Sequence, residues 1–364
     1  MSSIDLELTR NYTLLVKGFA ILKCYGNATI LGADITNKSI TIKENKILPI
    51  ETDTSCRIVI DRCMEYKIMY REGIGTSIWD DIRDAVLFRE PDTILIVGAN
   101  DTGKSTLAVY LANIMLKKRK IMIIDGDVGQ GDLAPPACIG ASRINNNILD
   151  LSDISAERYE FIGSITPTPL VIDAIQRLYD KNYLTIINTD GYIDKHGLEY
   201  KIKLINVIRP SIIACLGDNS YAEELLRRYK NVYLADKPRY VEKNPRARLC
   251  NRLRRYKRFI GNNKRYFNIR SKKIWVNGNR YDCFIKNDYI ILEPFGPILH
   301  LSILKDMYIG LSIDEYVVGF GVIRSINNNV LMQTDYEGEF DTLMLSNIKL
   351  SRDLNNEFKI RYMF

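Results

Sequence analysis

The chain has 364 residues, 46% hydrophobic and 26% charged, with a formal net charge of +7. This is ample for a large core and more than one domain, and the positive excess suits an anionic partner. The only histidines, His196 and His300, exclude a His-based triad or a multi-His metal site. Seven cysteines (Cys24, Cys56, Cys63, Cys138, Cys215, Cys250 and Cys283) form no C-x-x-C pair, so small buried thiols in a reducing compartment are expected. The start, MSSIDLELTRNY, has no apolar signal core. The longest apolar runs fall far short of the about 20 residues that span a bilayer, so a cytoplasmic protein without a membrane partner is expected.

The first 90 residues alternate apolar and polar positions, broken at Gly18, Gly26 and Gly32, and predict a small antiparallel β domain. SIWDDIRDAVLF then takes helical spacing, with Ile78, Ile82, Ala85 and Val86 on one side. TILIV reads as a wholly apolar strand, LAVYLANIMLKKRK as a helix with a basic end, and KIMIID, YLTIINT and SIIACL as further buried strands. Strands without polar alternation, separated by helices, predict a parallel sheet covered on both faces. A basic segment follows at 237–273, and from 274 the alternation returns. The expected architecture is an α/β P-loop core flanked by two small β domains. The divisions fall at 1–90, 91–273 (with a basic lid at 237–262) and 274–364.

The stretch Gly98-Ala99-Asn100-Asp101-Thr102-Gly103-Lys104-Ser105 fits G-x-x-x-x-G-K-[ST] between a buried strand and a helix. Its glycines let the backbone wrap a phosphate, successive N–H groups point inward, and the helix start adds positive charge. Lys104 would bridge the β- and γ-phosphates. Ser105, with Thr106 beside it, would supply a hydroxyl to Mg²⁺. The next strand ends in Asp125-Gly126-Asp127-Val128-Gly129-Gln130. Carboxylates there can order metal-bound water or accept the proton of an attacking hydroxyl.

GANDTGKST, DGDVGQGDLAPP, YEFIGSITP and INTDGYI, in this order and followed by a basic segment, resemble the RNA 5′-hydroxyl kinase family, and the length is similar to that of its archaeal members. The resemblance runs motif by motif over about 94–262. It implies transfer of the ATP γ-phosphate to the 5′-hydroxyl of a nucleic acid, RNA before DNA. It places the general base on Asp127 and a magnesium role on Asp125, and the two could be exchanged. Gln130 would contact phosphates or the acceptor end. Thr189, Gly191 and Tyr192 match a T-x-G-aromatic element that often carries tryptophan, and the ring would stack a terminal base. Gly163, Ser164, Thr166 and Pro167 match the family's Y-x-F/I-G-x-x-x-P stretch, to which the resemblance gives no defined role and which can equally be a loop shaping the cleft. Arg248 and Arg252 fit the family's R-x-x-x-R lid. At helical spacing these two share a face with Arg255, beside an apolar stripe of Leu249, Leu253, Tyr256 and Ile260. Such a lid would neutralise the migrating phosphoryl group and exclude water.

Two other readings stand beside the kinase. One is an ATP-holding scaffold of an RNA-processing complex, against which Lys104, Asp127 and the paired arginines are all present. The other is a plain ATPase or GTPase. The base-reading N-K-x-D of a GTPase is missing: Asn37-Lys38 and Asn45-Lys46 precede the P-loop and lack the aspartate.

Overall fold

The computed structural model describes residues 3–44, 46–217, 220–238, 245–326 and 329–360. The chain forms two compact units, each assembled from three stretches. The first takes Met1–Ile123, Arg143–Ile154 and Asp180–Glu242; the second takes Ile124–Ser142, Ser155–Tyr179 and Lys243–Phe364.

The first unit opens with two antiparallel sheets. One runs in the order Ile4–Thr9, Ser55–Arg62, Ala20–Tyr25, Ser39–Ile42. The other runs Ala33–Asp34, Thr29–Ile30, Ile47–Glu51, Tyr12–Lys17, Glu65–Tyr70. Alternation sets their faces: Ala20, Leu22 and Cys24 are buried while Lys23 and Tyr25 are exposed. A 3₁₀ turn (Gly75–Trp79) leads into the helix Asp80–Arg89, which buries Ile82 and Val86.

The P-loop strand, Thr93–Gly98, follows and is buried at every position. It pairs in parallel with Leu184–Thr189 on one side and Ile212–Leu216 on the other; the latter pairs in parallel with Val232–Ala235. Such strands read as unbroken apolar runs because both faces are covered. The P-loop helix spans Lys104–Met115. The basic run expected at its end lies beyond it: the amides of Lys118 and Arg119 both close onto the Met115 carbonyl, and the chain turns there. Asn113 ties this helix to neighbouring loops, donating to the Leu31 and Ile148 carbonyls at 2.8 Å each.

The second unit is dominated by a ten-stranded sheet running from Lys264–Phe267 to Ile298–His300, with Glu357–Lys359 pairing the strand Thr342–Leu350. Its core gathers Ile274, Met307, Ile309, Leu311, Ile323, Met332 and Leu343. A second cluster joins Phe161, Tyr308, Phe320, Val322 and Leu350 to Tyr256 and Ile260 of the basic helix, Pro245–Ile260. The expected α/β core and flanking β sheets are therefore present. No helix among the described residues is long and apolar enough to cross a membrane.

Candidate functional site

The P-loop leaves its strand through backbone that only glycine takes without strain. Gly98 has φ +146°, and a Cβ there would lie 2.5 Å from the Leu216 carbonyl oxygen. Gly103 has φ +90° and is the N-cap of the P-loop helix. Asp101, between them, sits at φ +59°. Side chains then close the loop on itself: the Ala99 carbonyl accepts from Thr102 Oγ1 at 2.9 Å and from Lys104 Nζ at 2.6 Å. Lys104 is 6% exposed, and Ser105 and Thr106 sit in the helix's first turn.

The Thr189–Tyr192 turn meets this loop inside the first unit. Thr189 Oγ1 donates to the Ile96 carbonyl at 2.8 Å. Gly191 packs flush against Asn100: a Cβ on it would stand 2.2 Å from Asn100 Oδ1 and 2.6 Å from the Asn100 amide nitrogen. Tyr192 is 37% exposed, so its ring can offer a face. Asn188, one residue before the motif, donates from Nδ2 to Ser105 Oγ at 3.2 Å. Sequence reading passed over it. An asparagine near the end of a buried strand, just before the T-x-G-aromatic element, was the available signal.

The acidic turn lies in the second unit, just past the unit boundary within the strand Ile121–Gly126. Asp125, 1% exposed, accepts from the Asp132 amide at 2.5 Å and the Leu133 amide at 3.2 Å through Oδ2. Asp127 accepts from the Gly129 and Gln130 amides at 3.0 and 2.8 Å through Oδ1. These charge-assisted bonds fix both carboxylates by their own loop. Gly131 must be glycine, since a Cβ would lie 2.6 Å from the Asp127 carbonyl oxygen. Gln130 Nε2 reaches the Arg248 carbonyl at 3.5 Å, linking this turn to the basic helix.

That helix spans Pro245–Ile260. Residues 239–244 of the expected lid lie outside the described residues. Tyr256 and Ile260 are fully buried, and Leu253 packs on the same cluster, so these three residues of the expected apolar stripe anchor the helix. Tyr256 meets Tyr308 edge-on at 5.0 Å. Burial pushes both phenols well up from their ordinary range. Arg252 is committed elsewhere in the second unit: its Nε and Nη2 grip the Glu357 carboxylate at 2.9 and 2.5 Å. Glu357 is distant in sequence and nothing there pointed to it. In the Gly163–Pro167 loop, Gly163 takes φ +75° against the Leu345 carbonyl, and Lys359 Nζ donates to Thr166 Oγ1 at 3.0 Å.

Residues 98–262 match the family model described as mRNA cleavage and polyadenylation factor CLP1 P-loop. A polyribonucleotide 5′-hydroxyl-kinase of Pyrococcus abyssi is 29% identical over 188 residues, 48% of this chain and 52% of that one. One from Methanocaldococcus jannaschii is 33% identical over 154 residues, 39% and 42% of the two chains. The polynucleotide 5′-hydroxyl-kinase GRC3 of Debaryomyces hansenii is 27% identical over 215 residues, 54% of this chain and 30% of that one. The chain thus spans about half the length of the first of these relatives, and less of the others. Among solved structures, the wild-type Clp1p–Pcf11p complex matches with a TM-score of 0.68 at 15% identity, covering 96% of this chain and 98% of that one. That likeness establishes the fold.

Proposed function

We propose that this chain, whose segment 98–262 belongs to the CLP1 P-loop family, is an ATP-dependent polynucleotide 5′-hydroxyl kinase acting on RNA ends and admitting DNA. The names of its relatives support the activity. The observation that carries it is the acidic turn. A P-loop alone serves any nucleoside triphosphatase, whereas a carboxylate locked by the Gly129 and Gln130 amides is suited to receive a proton from an acceptor hydroxyl.

In the proposed reaction the 5′ oxygen bonds to the γ-phosphorus as the bond to the β,γ-bridging oxygen breaks. The hydroxyl proton goes to Asp127, and ADP leaves. The amides from Gly98 to Thr106 cradle the triphosphate, and Lys104 neutralises its β- and γ-oxygens. Gln130, Thr189, Gly191 and Tyr192 hold the acceptor end, with Tyr192 stacking its terminal base. Arg248 and Arg252 supply the lid's positive charge. For Mg²⁺, the Ser105 hydroxyl, steadied by Asn188, would be a hard oxygen ligand, and Asp125 would hold a water of the ion's shell. Bound there, the ion would offset phosphate charge. A cytoplasmic setting belongs to the same proposal, as does the functional division into an N-terminal β domain (1–90), a kinase domain (91–273) and a C-terminal β domain (274–364).

The test is purified protein with Mg²⁺, labelled ATP and matched 5′-hydroxyl RNA and DNA oligonucleotides. Label should move to the 5′ end, chelation of Mg²⁺ should stop it, and Lys104→Ala and Asp127→Asn should each abolish it. Full rate in Asp127→Asn would end the general-base assignment. ATP retained without turnover on any end would favour the scaffold.

A further inference from the structure

The helix Lys195–Ile208 buries Gly197, Lys201, Leu204 and Ile205, the spacing of a face turned to the core. A lysine stands in that face with its side chain 0% exposed. Lys201 Nζ donates to Asp190 Oδ2 at 2.7 Å, and the Asp190 side chain is itself only 6% exposed. The other oxygen, Asp190 Oδ1, accepts from the Tyr192 amide at 2.9 Å. A core position that asked only for packing would carry leucine or methionine, because a buried ion pair adds little net stability over an apolar filling. The lysine therefore calls for another reason.

The turn it grips is held from three further directions. Thr189 bonds the P-loop strand at the Ile96 carbonyl. Gly191 lies against Asn100 of the P-loop with no room for a methyl group. Tyr192 lies against Gly197, where a Cβ would come 2.4 Å from the Tyr192 carbonyl oxygen and 3.1 Å from its Cγ. Gly197 and Lys201 are one helical turn apart on the same face, so one helix both makes space for the Tyr192 backbone and clamps the carboxylate that orients it. A bare carboxylate one residue from the P-loop contact would also repel nucleotide phosphates. The ammonium cancels that charge and keeps the orienting bond.

Resting on the kinase reading for the meaning of Tyr192, we propose that Lys201, through Asp190, is a positioning residue that holds the Tyr192 ring ready for the terminal base of the acceptor strand. Lys201 touches neither substrate.

The experiment compares wild type with Lys201→Met and with the double variant Asp190→Asn/Lys201→Met, which leaves no charge buried and so remains a folded control if the single variant does not. Steady-state kinetics of the double variant with ATP and a single-stranded 5′-hydroxyl oligoribonucleotide should show KM for the oligonucleotide rising about tenfold, with KM for ATP within about twofold, whereas Lys201→Met, which bares the Asp190 charge, should raise both. Amide hydrogen exchange should speed up in the peptide covering 189–197 and stay unchanged in the C-terminal sheet, a readout that needs no turnover. A folded double variant with wild-type exchange at 189–197 overturns the assignment, as does one whose two KM values rise together. If wild type phosphorylates no end, the kinase reading falls, and exchange at 189–197 decides whether Lys201 positions the turn.

Discussion

At the scale of single residues, each unit holds a buried ion pair, Arg252 with Glu357 in the second and Lys201 with Asp190 in the first, whose two partners no motif brings together. Arg252 and Glu357 have side-chain exposures of 17% and 9%, so removing one partner strands a charge. Glu357→Gln should lower unfolding free energy by about 3 kcal/mol in urea titration, and Arg252→Met/Glu357→Leu should recover most of it. An additive double variant would show that the pair is not coupled. Asp150, 8% exposed, offers a pH test. Burial works against its charged form, yet the Lys46 ammonium and hydrogen bonds from Lys46 and Ser152 hold its carboxyl below the usual range. A depressed folded pKa means the stabilisation is present above the unfolded value near 3.9 and fades as pH falls through the folded one. Asp150→Asn should therefore flatten the loss of melting temperature below about pH 4; an unchanged acid slope would contradict this.

At the scale of elements, what could be read beforehand was whatever a short chain stretch encodes by itself. Gly98 to Ser105 specified its own loop, since the positive φ values at Gly98 and Gly103 require glycine at those two places. The apolar runs of the parallel strands declared double-sided burial. The stripe of Tyr256 and Ile260 declared that the basic helix docks. What escaped were pairings between distant stretches: Glu357 with Arg252, Lys201 with Asp190, Asn188 with Ser105. Charged side chains of one sign look alike along a sequence, and only the fold selects partners. Lys201 was half legible, as a lysine in the 197, 201, 204 stripe. The P-loop glycine offers the element-scale test. Gly98→Ala puts a methyl group 2.5 Å from the Leu216 carbonyl oxygen at φ +146°, which should cost at least about 1 kcal/mol and sharply weaken ATP binding by calorimetry. Retained affinity would mean that the strand Ile212–Leu216 yields easily.

At the scale of the whole molecule, the charge balance matters for a polyanionic substrate. With a net charge of +7, oligonucleotide affinity should fall linearly on a log–log plot against salt as phosphate contacts release counterions. Arg248→Ala should reduce the slope by about 1 if that side chain meets a phosphate. A slope indifferent to salt would mean that end recognition rests on stacking alone.

The boundaries after Ile123 and Ser142 fall inside two strands, Ile121–Gly126 and Cys138–Ile144, and each compact unit draws on three separate stretches of chain. No single cut can release either unit whole. During synthesis the neighbours of the P-loop strand emerge only with Leu184–Thr189 and Ile212–Leu216, so that strand must wait on the ribosome for partners made much later. A fragment ending near residue 123 would carry the full phosphate-binding signature and still lack the strands on both sides that give it shape.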